Sequence, residues 1–165
     1  MPNGEWELLW EGSSAIQFWA DPGYTGWLNQ PFSGCTTGEP DRLILTITGE
    51  GRPVDEWVTE IEAAAATARS KFPTVEQVIL QPVVGGPNNS VCEIDGAPVR
   101  ASTNHPVIDQ AIAQIVAANP NGPIRAGYSP EVRTCADYGD ALGHLVDSAN
   151  GPVAAAIANF YLTLD

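Results

Sequence analysis

The chain has 165 residues, a formal net charge of −13 at pH 7 and a single lysine, Lys71. Such a surface repels phosphate groups, which argues against binding to nucleic acid or to anionic membranes. The length suits one domain covering 1–165, and no stretch is apolar for long enough to predict a membrane-spanning helix. The first residues lack the basic start and apolar segment of a signal peptide, so we expect no leader within them.

The chain begins with a short aromatic-rich apolar segment at 6–10, which predicts a strand, and a helical segment follows at 15–20. Gly12, Ser13 and Ser14 lie between them, so the serines are expected at the carboxyl end of a strand. Open α/β sheets bind their ligands at that edge. A serine before a helix is also a common N-cap, and the sequence leaves both interpretations open.

Residues 21–39 are rich in glycine and proline and predict a long loop. Three aromatic residues, Tyr24, Trp27 and Phe32, occur in it. Aromatic side chains in such a loop either form the floor of a binding groove or anchor the loop to the core.

The clearest strand is 41–48, a nearly continuous β-branched and aliphatic run typical of strands buried on both faces. Apolar residues at helical spacing then predict a helix between Pro53 and Pro73. Residues 77–81 predict the next buried strand.

The second half predicts a helix beginning at Asn104, with Pro106 in its first turn and His105 on the surface. A last strand is expected at 124–128 or 132–135, and a final helix from 150–152. Four strands are expected, with a fifth possible between Trp27 and Thr37. The alternation of strands and helices predicts a three-layer α/β/α sandwich with a short, mostly parallel sheet.

The segment before the final helix contains an acidic cluster around a histidine. Asp137 and Asp140 precede His144, and Asp147 follows it. Glycines within the segment allow a carboxylate to fold back onto the imidazole, which is the orienting half of a nucleophilic triad. The alternative is a helix N-terminus with acidic residues near its positive end and a histidine on the surface.

The three cysteines are Cys35, Cys92 and Cys135, and none has the spacing of a zinc site. We therefore predict no metal site and no cofactor. Cys92 and Cys135 each follow a predicted strand, so they either pair in an oxidising compartment or remain free thiols. Pairing would indicate a secreted or extracytoplasmic protein.

The order of these features resembles the SGNH (GDSL-like) hydrolase family over roughly residues 40–165. The segment 140–145, followed by Gly151 and the apolar run 153–161, looks like the acid–histidine block and closing helix of that family. The centre is also similar, with a buried strand after Asp41 and the segment 78–82 after the next helix. The resemblance implies an SGNH-hydrolase-like fold, close to the flavodoxin-like arrangement, and hydrolysis of esters.

The resemblance also implies roles for individual residues. The nucleophile would be Ser14, with Ser13 as the alternative, because the family has its serine in a turn after the first strand. Gly34 and Gly49 would contribute to the oxyanion and substrate site. Residues 49–52 lack the asparagine that the family has at this place.

These observations predict a serine ester hydrolase of the esterase or carbohydrate acetylesterase type. Ser14 would attack the ester, His144 would act as base, and Asp140 or Asp137 would orient the imidazole. The substrate would be a small-molecule or carbohydrate ester. Two alternatives remain: an inactive carbohydrate-binding module that uses the aromatic loop 18–32, or a piece of a longer hydrolase. The sequence does not indicate the oligomeric state.

Overall fold

The computed structural model describes residues 15–28 and 40–163. Its strands are β1 (Arg42–Ile47), β2 (Gln77–Pro82), β3 (Glu93–Ile94), β4 (Ala97–Pro98) and β5 (Ile124–Ala126). Its α-helices are α1 (Ile16–Ala20), α2 (Val54–Lys71), α3 (Arg100–Ala118) and α4 (Asp147–Tyr161). Short 3-10 turns cover Thr25–Leu28, Pro87–Asn89 and Cys135–Asp137.

The described strands form a three-stranded parallel sheet in the order β1-β2-β5. Their register aligns Leu45 of β1 with Leu80 of β2, and Leu80 with Ala126 of β5. The predicted strands at 41–48 and 77–81 are therefore confirmed, and the last strand uses the first of its two predicted positions. The predicted strand at 6–10 lies outside the described residues.

Helix α2 matches its prediction and packs on the sheet. Asp55 and Glu56 lie in its first turn, and Arg69 and Lys71 lie in its last, which complements the helix dipole at both ends. Its buried face joins α3 and one face of the sheet in a single hydrophobic core. The large members of this core include Ile16, Trp57, Ile61, Leu45, Ile47, Leu80, Ile108, Ile112 and Ile115.

The predicted start of α3 is wrong by about one turn. The helix begins at Arg100, and Pro106 lies in its second turn. The earlier start adds Ala101 to a buried stripe that continues through His105 and Ile108, and all three side chains are at most 3% exposed. Burial of this longer stripe offsets the backbone hydrogen bond that a proline inside a helix removes.

Helix α4 also begins earlier than predicted, at Asp147, and Pro152 lies inside it. Asp147 in the first turn is favourable near the positive end of the helix. A Cβ placed on Gly127 would lie within 2.9 Å of Ile79 Cγ2 and also contact Tyr161 Oη. In β2, Ile79 points to the opposite face of the sheet from Val78 and Leu80, which lie in the core with α2 and α3. The contact therefore places the end of α4 on the face away from α2 and α3. The fold is thus the predicted small α/β sandwich, with helices flanking a parallel sheet.

Candidate functional site

The first turns of α3 hold two loops at the carboxyl edge of the sheet. Asn104 Nδ2 donates a 2.9 Å hydrogen bond to the carbonyl of Gly49, directly after β1. On the other side, the Arg100 N–H donates to the carbonyl of Ala141 at 2.8 Å. The loop before α4 therefore lies near the loop that follows β1.

Asp140 and His144 come together within the loop before α4. His144 Nδ1 lies 2.6 Å from Asp140 Oδ2. The other carboxylate oxygen, Oδ1, accepts backbone N–H groups from Leu142, Gly143 and His144 at 2.9, 3.0 and 3.2 Å. One carboxylate thus folds the turn and binds the imidazole that the turn carries.

These contacts stabilise the ionised form of Asp140. The hydrogen bond with His144, followed by those from the backbone N–H groups, lowers the pKa of this carboxyl from 3.8 to about 2. An ionised carboxylate at Nδ1 selects the tautomer with its proton on that nitrogen, which leaves Nε2 as an acceptor.

The His144 imidazole is accessible from solvent. Its side chain is 74% exposed, and its Nε2 has no hydrogen-bond partner among residues 15–28 and 40–163. A neutral imidazole with an oriented Nδ1 and an open Nε2 can accept a proton from an adjacent hydroxyl.

The turn depends on Gly143, which has a φ of +103°. This is the left-handed region that residues with a side chain adopt only with strain. A Cβ at this position would also collide with the Cβ of Ala101 in α3. The bare backbone therefore allows the loop to pack directly on the helix.

The base of the loop is anchored to the sheet edge by Tyr138. Its side chain is buried, and its hydroxyl donates a 2.8 Å hydrogen bond to the carbonyl of Val84 after β2. Burial, with a smaller contribution from the charge of Glu131, raises the pKa of the phenol. Backbone bonds from Gly139 N–H to His144 O and from Val146 N–H to Asp137 O close the loop at 2.7 and 2.9 Å.

The two aspartates that the sequence left as alternatives have different partners. Asp137 Oδ2 accepts the backbone N–H groups of Arg133 and Thr134 at 3.0 and 2.9 Å, in a capping box. Asp140 is the one that binds His144. Asp137 therefore stabilises the turn that leads into the loop.

A disulfide joins Cys92 to Cys135, with a Cα–Cα distance of 5.3 Å. The sequence left these two cysteines as either a disulfide or free thiols, and in the structure they form the disulfide. The bond attaches the start of the histidine-bearing segment to the residue before the β3–β4 hairpin. Cys35 lies outside the described residues.

Of the other predicted site residues, only Gly49 lies within the part of the chain that the structure describes. Gly49 lies two residues after β1 and is half-buried. Ser13, Ser14 and Gly34 lie outside the described residues. Ala15, which follows Ser14 in the chain, packs beside Gly49, since a Cβ on that glycine would lie 3.3 Å from the Ala15 Cβ.

The described part of the aromatic segment 18–32 contains both buried and exposed rings. Trp27 is buried, packs edge-to-face on Trp19 of α1 at 4.8 Å between ring centroids, and lies 6.1 Å from the ring of Phe72 at the end of α2, which anchors the segment to the core. Phe18 is 45% exposed and stacks on Tyr24 at 5.6 Å. Phe32 lies outside the described residues.

The prediction that His105 is a surface residue is wrong, because its side chain is completely buried. Its Nδ1 lies 3.0 Å from Asn89 Oδ1, and its Nε2 lies 3.0 Å from Ser129 Oγ. Ser129 in turn donates a 2.6 Å hydrogen bond to Asp109 Oδ2. The helical spacing of residues 101, 105, 108 and 112 was the signal for a buried position.

The Ser129–His105 pair has the geometry of a structural network. Ser129 Oγ donates to Asp109 Oδ2 and also lies 3.0 Å from Nε2 of His105, so this hydroxyl links the imidazole to the carboxylate. The imidazole has no exposed edge from which it could protonate a leaving group. We therefore assign the cluster to holding the loops after β2 and β5 on α3.

Within the described ranges, no group of three or more His, Cys, Asp or Glu side chains is arranged to hold a metal ion. No described helix has the length and apolar character needed to cross a membrane. No family model matches the sequence, and no curated protein is significantly similar to it.

Proposed function

We propose that this protein is a serine ester hydrolase in which Ser14, His144 and Asp140 form the catalytic triad. The observation that carries the proposal is the 2.6 Å contact between Asp140 Oδ2 and His144 Nδ1 on an imidazole that is 74% exposed. An ionised carboxylate that fixes the tautomer of an accessible histidine is the base half of a triad.

In the proposed reaction, Ser14 Oγ attacks the ester carbonyl carbon while its proton passes to Nε2 of His144. The resulting imidazolium is stabilised by Asp140 and returns the proton to the departing alcohol, which leaves an acyl group on Ser14. Water then attacks the acyl-enzyme through the same base, releasing the carboxylic acid and restoring the serine.

The path of the chain around Gly49 supports this choice of nucleophile. The Ile16 N–H donates a 2.9 Å hydrogen bond to the carbonyl of Thr48, so α1 begins at the carboxyl end of β1. Ser14 is two residues before Ile16. The same sheet edge carries the Asp140–His144 loop, and backbone N–H groups around Gly49 are proposed to bind the oxyanion.

A neutral ester is the favoured substrate class. The net charge of −13 disfavours anionic ligands, and an acyl group on a carbohydrate is uncharged. The resemblance to SGNH hydrolases supports a carbohydrate acetylesterase or a related esterase. The disulfide supports a setting outside the reducing cytosol.

Hydrolysis of p-nitrophenyl acetate and of acetylated sugars tests the proposal. Wild-type protein should hydrolyse these esters, whereas Ser14→Ala and His144→Ala should each reduce kcat by at least roughly 10³-fold. Ser13→Ala is the matched control, and it should retain activity. Retained activity in Ser14→Ala together with its loss in Ser13→Ala or Ser129→Ala would show that the wrong serine was assigned.

A non-catalytic carbohydrate-binding module is the second candidate, favoured by the lack of an asparagine in residues 49–52. Its contact surface would include the exposed Phe18, stacked on Tyr24. Oligosaccharide binding by calorimetry, abolished in Phe18→Ala and accompanied by no ester hydrolysis, would favour this candidate over the hydrolase.

A further inference from the structure

Asn104 is a buried amide that the proposed reaction does not use directly. The residue is 5% exposed, and its Nδ2 donates a 2.9 Å hydrogen bond to the carbonyl of Gly49. A Cβ on Gly51 would lie 3.2 Å from Asn104 Oδ1, so the side chain packs against both ends of the turn after β1. A buried amide is favourable only where it has such partners.

The position of Asn104 on α3 connects this turn to the histidine loop. Arg100 and Ala101 precede it by four and three residues, so all three lie on one side of the helix. Arg100 N–H binds the carbonyl of Ala141, and Ala101 packs against Gly143. Arg100 Nη1 also pairs with Glu50 Oε1 at 2.6 Å. The same helical turn thus holds both loops.

The bond to Gly49 also sets the direction of the next peptide N–H. In a planar trans peptide the N–H points opposite to the carbonyl. Since Asn104 draws the Gly49 carbonyl towards α3, the Glu50 N–H of the same peptide is turned away from the helix. Residues 49–52 have no side-chain amide of their own, so the orientation of this backbone depends on an outside group.

We infer that Asn104 is a positioning residue, which fixes the Gly49–Glu50 peptide relative to His144 so that the Glu50 N–H stabilises the oxyanion. This inference rests on the proposed hydrolase function. Asn104 acts through the backbone of the turn and transfers no proton itself. A displaced donor weakens transition-state stabilisation more than ground-state binding, so kcat should change more than KM.

The test compares Asn104→Asp, which keeps the size but loses the N–H donors, with Thr103→Ala as a matched control. Thr103 is exposed on the neighbouring position of α3, and its hydroxyl bonds only within that helix, to Val99 O at 3.1 Å. With kcat expressed per folded molecule from near-UV circular dichroism, Asn104→Asp should lower kcat roughly 10- to 100-fold. KM should change by less than about twofold, and Thr103→Ala should match wild type.

Gly51→Ala provides a second variant if Asn104→Asp does not fold. Its new methyl group would press on Asn104 Oδ1 without removing a buried polar group, so the same selective fall in kcat is expected. If wild type is active and kcat is unchanged in Asn104→Asp, the role of Asn104 is overturned and the proposed function is not. If Asn104→Asp does not fold, an unchanged kcat in Gly51→Ala has the same meaning. A folded wild-type protein without esterase activity would overturn the proposed function and this inference together.

Discussion

Asp140 accepts the backbone N–H of His144 at 3.2 Å through one oxygen and contacts the imidazole of the same residue at 2.6 Å through the other. The fold of the turn and the orientation of the ring therefore depend on a single carboxylate. Its geometry is local, because the two residues are four apart in the chain and need no other element to meet. What the tertiary structure adds is the placement of this unit on the first turns of α3.

Asp140 should remain ionised to unusually low pH. Its pKa is about 2, and the hydrogen bond with His144 is the largest cause of the shift from 3.8. Carbon-detected NMR of the Asp140 carboxyl should give this value in wild type and a higher one in His144→Ala. Because the folded pKa is depressed, this group stabilises the fold above about pH 4, and the contribution is lost as the pH falls towards 2. An unchanged pKa in His144→Ala would contradict the assigned partner.

Gly143→Ala should reduce both stability and ester hydrolysis. Its φ of +103° is strained for alanine, and the added Cβ would collide with Ala101. The matched control is Gly151→Ala in α4, where a Cβ meets no atom within 4 Å. Alanine in that helix should be neutral or stabilise it by up to about 1 kcal/mol. Urea unfolding measures both variants, and equal stabilities would contradict the described turn.

Removal of the Cys92–Cys135 disulfide should lower the free energy of unfolding. The sequence separation of 43 residues corresponds to a loop-closure contribution of about 4 kcal/mol in the chain-entropy estimate. The double variant Cys92→Ala/Cys135→Ala should therefore unfold at markedly lower urea concentration than wild type. Cys35→Ser is the control, expected to keep the same disulfide in a mass-mapped digest. A wild-type digest that links Cys35 to Cys92 or Cys135 would contradict the pairing.

His105 should make stability fall as the pH drops below its ordinary pKa of 6.5. Burial is the main cause that lowers the pKa of this imidazole, against the opposing charges of Asp109 and Glu131. The unfolded chain then binds a proton that the folded chain does not, so stability is full above pH 6.5 and declines below it. Urea midpoints at pH 7.5 and 5.5 should show this decline in wild type and a smaller one in His105→Gln. A decline of equal size in both proteins would exclude His105 as its source.

The elements with strong local signals could be predicted from the sequence. Strands β1 and β2 are aliphatic runs, and α2 lies between two prolines with a continuous apolar face. The starts of α3 and α4 were placed too late, because a proline was expected in the first turn and tertiary packing allows it deeper. The β3–β4 hairpin had a usable signal, since Asp95-Gly96 is a favoured two-residue hairpin turn with positive φ at both positions.

The candidate site, like the fold, could be predicted where its contacts are local in the sequence. A contact between His144 and a preceding aspartate follows from spacing within one loop, and the sequence indicated it. The roles of Asn104 and His105 depend on contacts with residues 55 and 16 positions away, which no local pattern reveals. The sequence also could not choose between Asp137 and Asp140, since the choice depends on which carboxylate the N–H groups of residues 133 and 134 bind.

The most direct test of the catalytic assignment is labelling of the 165-residue protein with a fluorophosphonate probe, followed by peptide mass mapping. We predict a single modified residue, Ser14, with labelling strongly slowed in His144→Ala and Asp140→Asn and unaffected in the control Asp147→Asn. No labelling of folded wild-type protein, or modification of Ser129 instead of Ser14, would contradict this assignment.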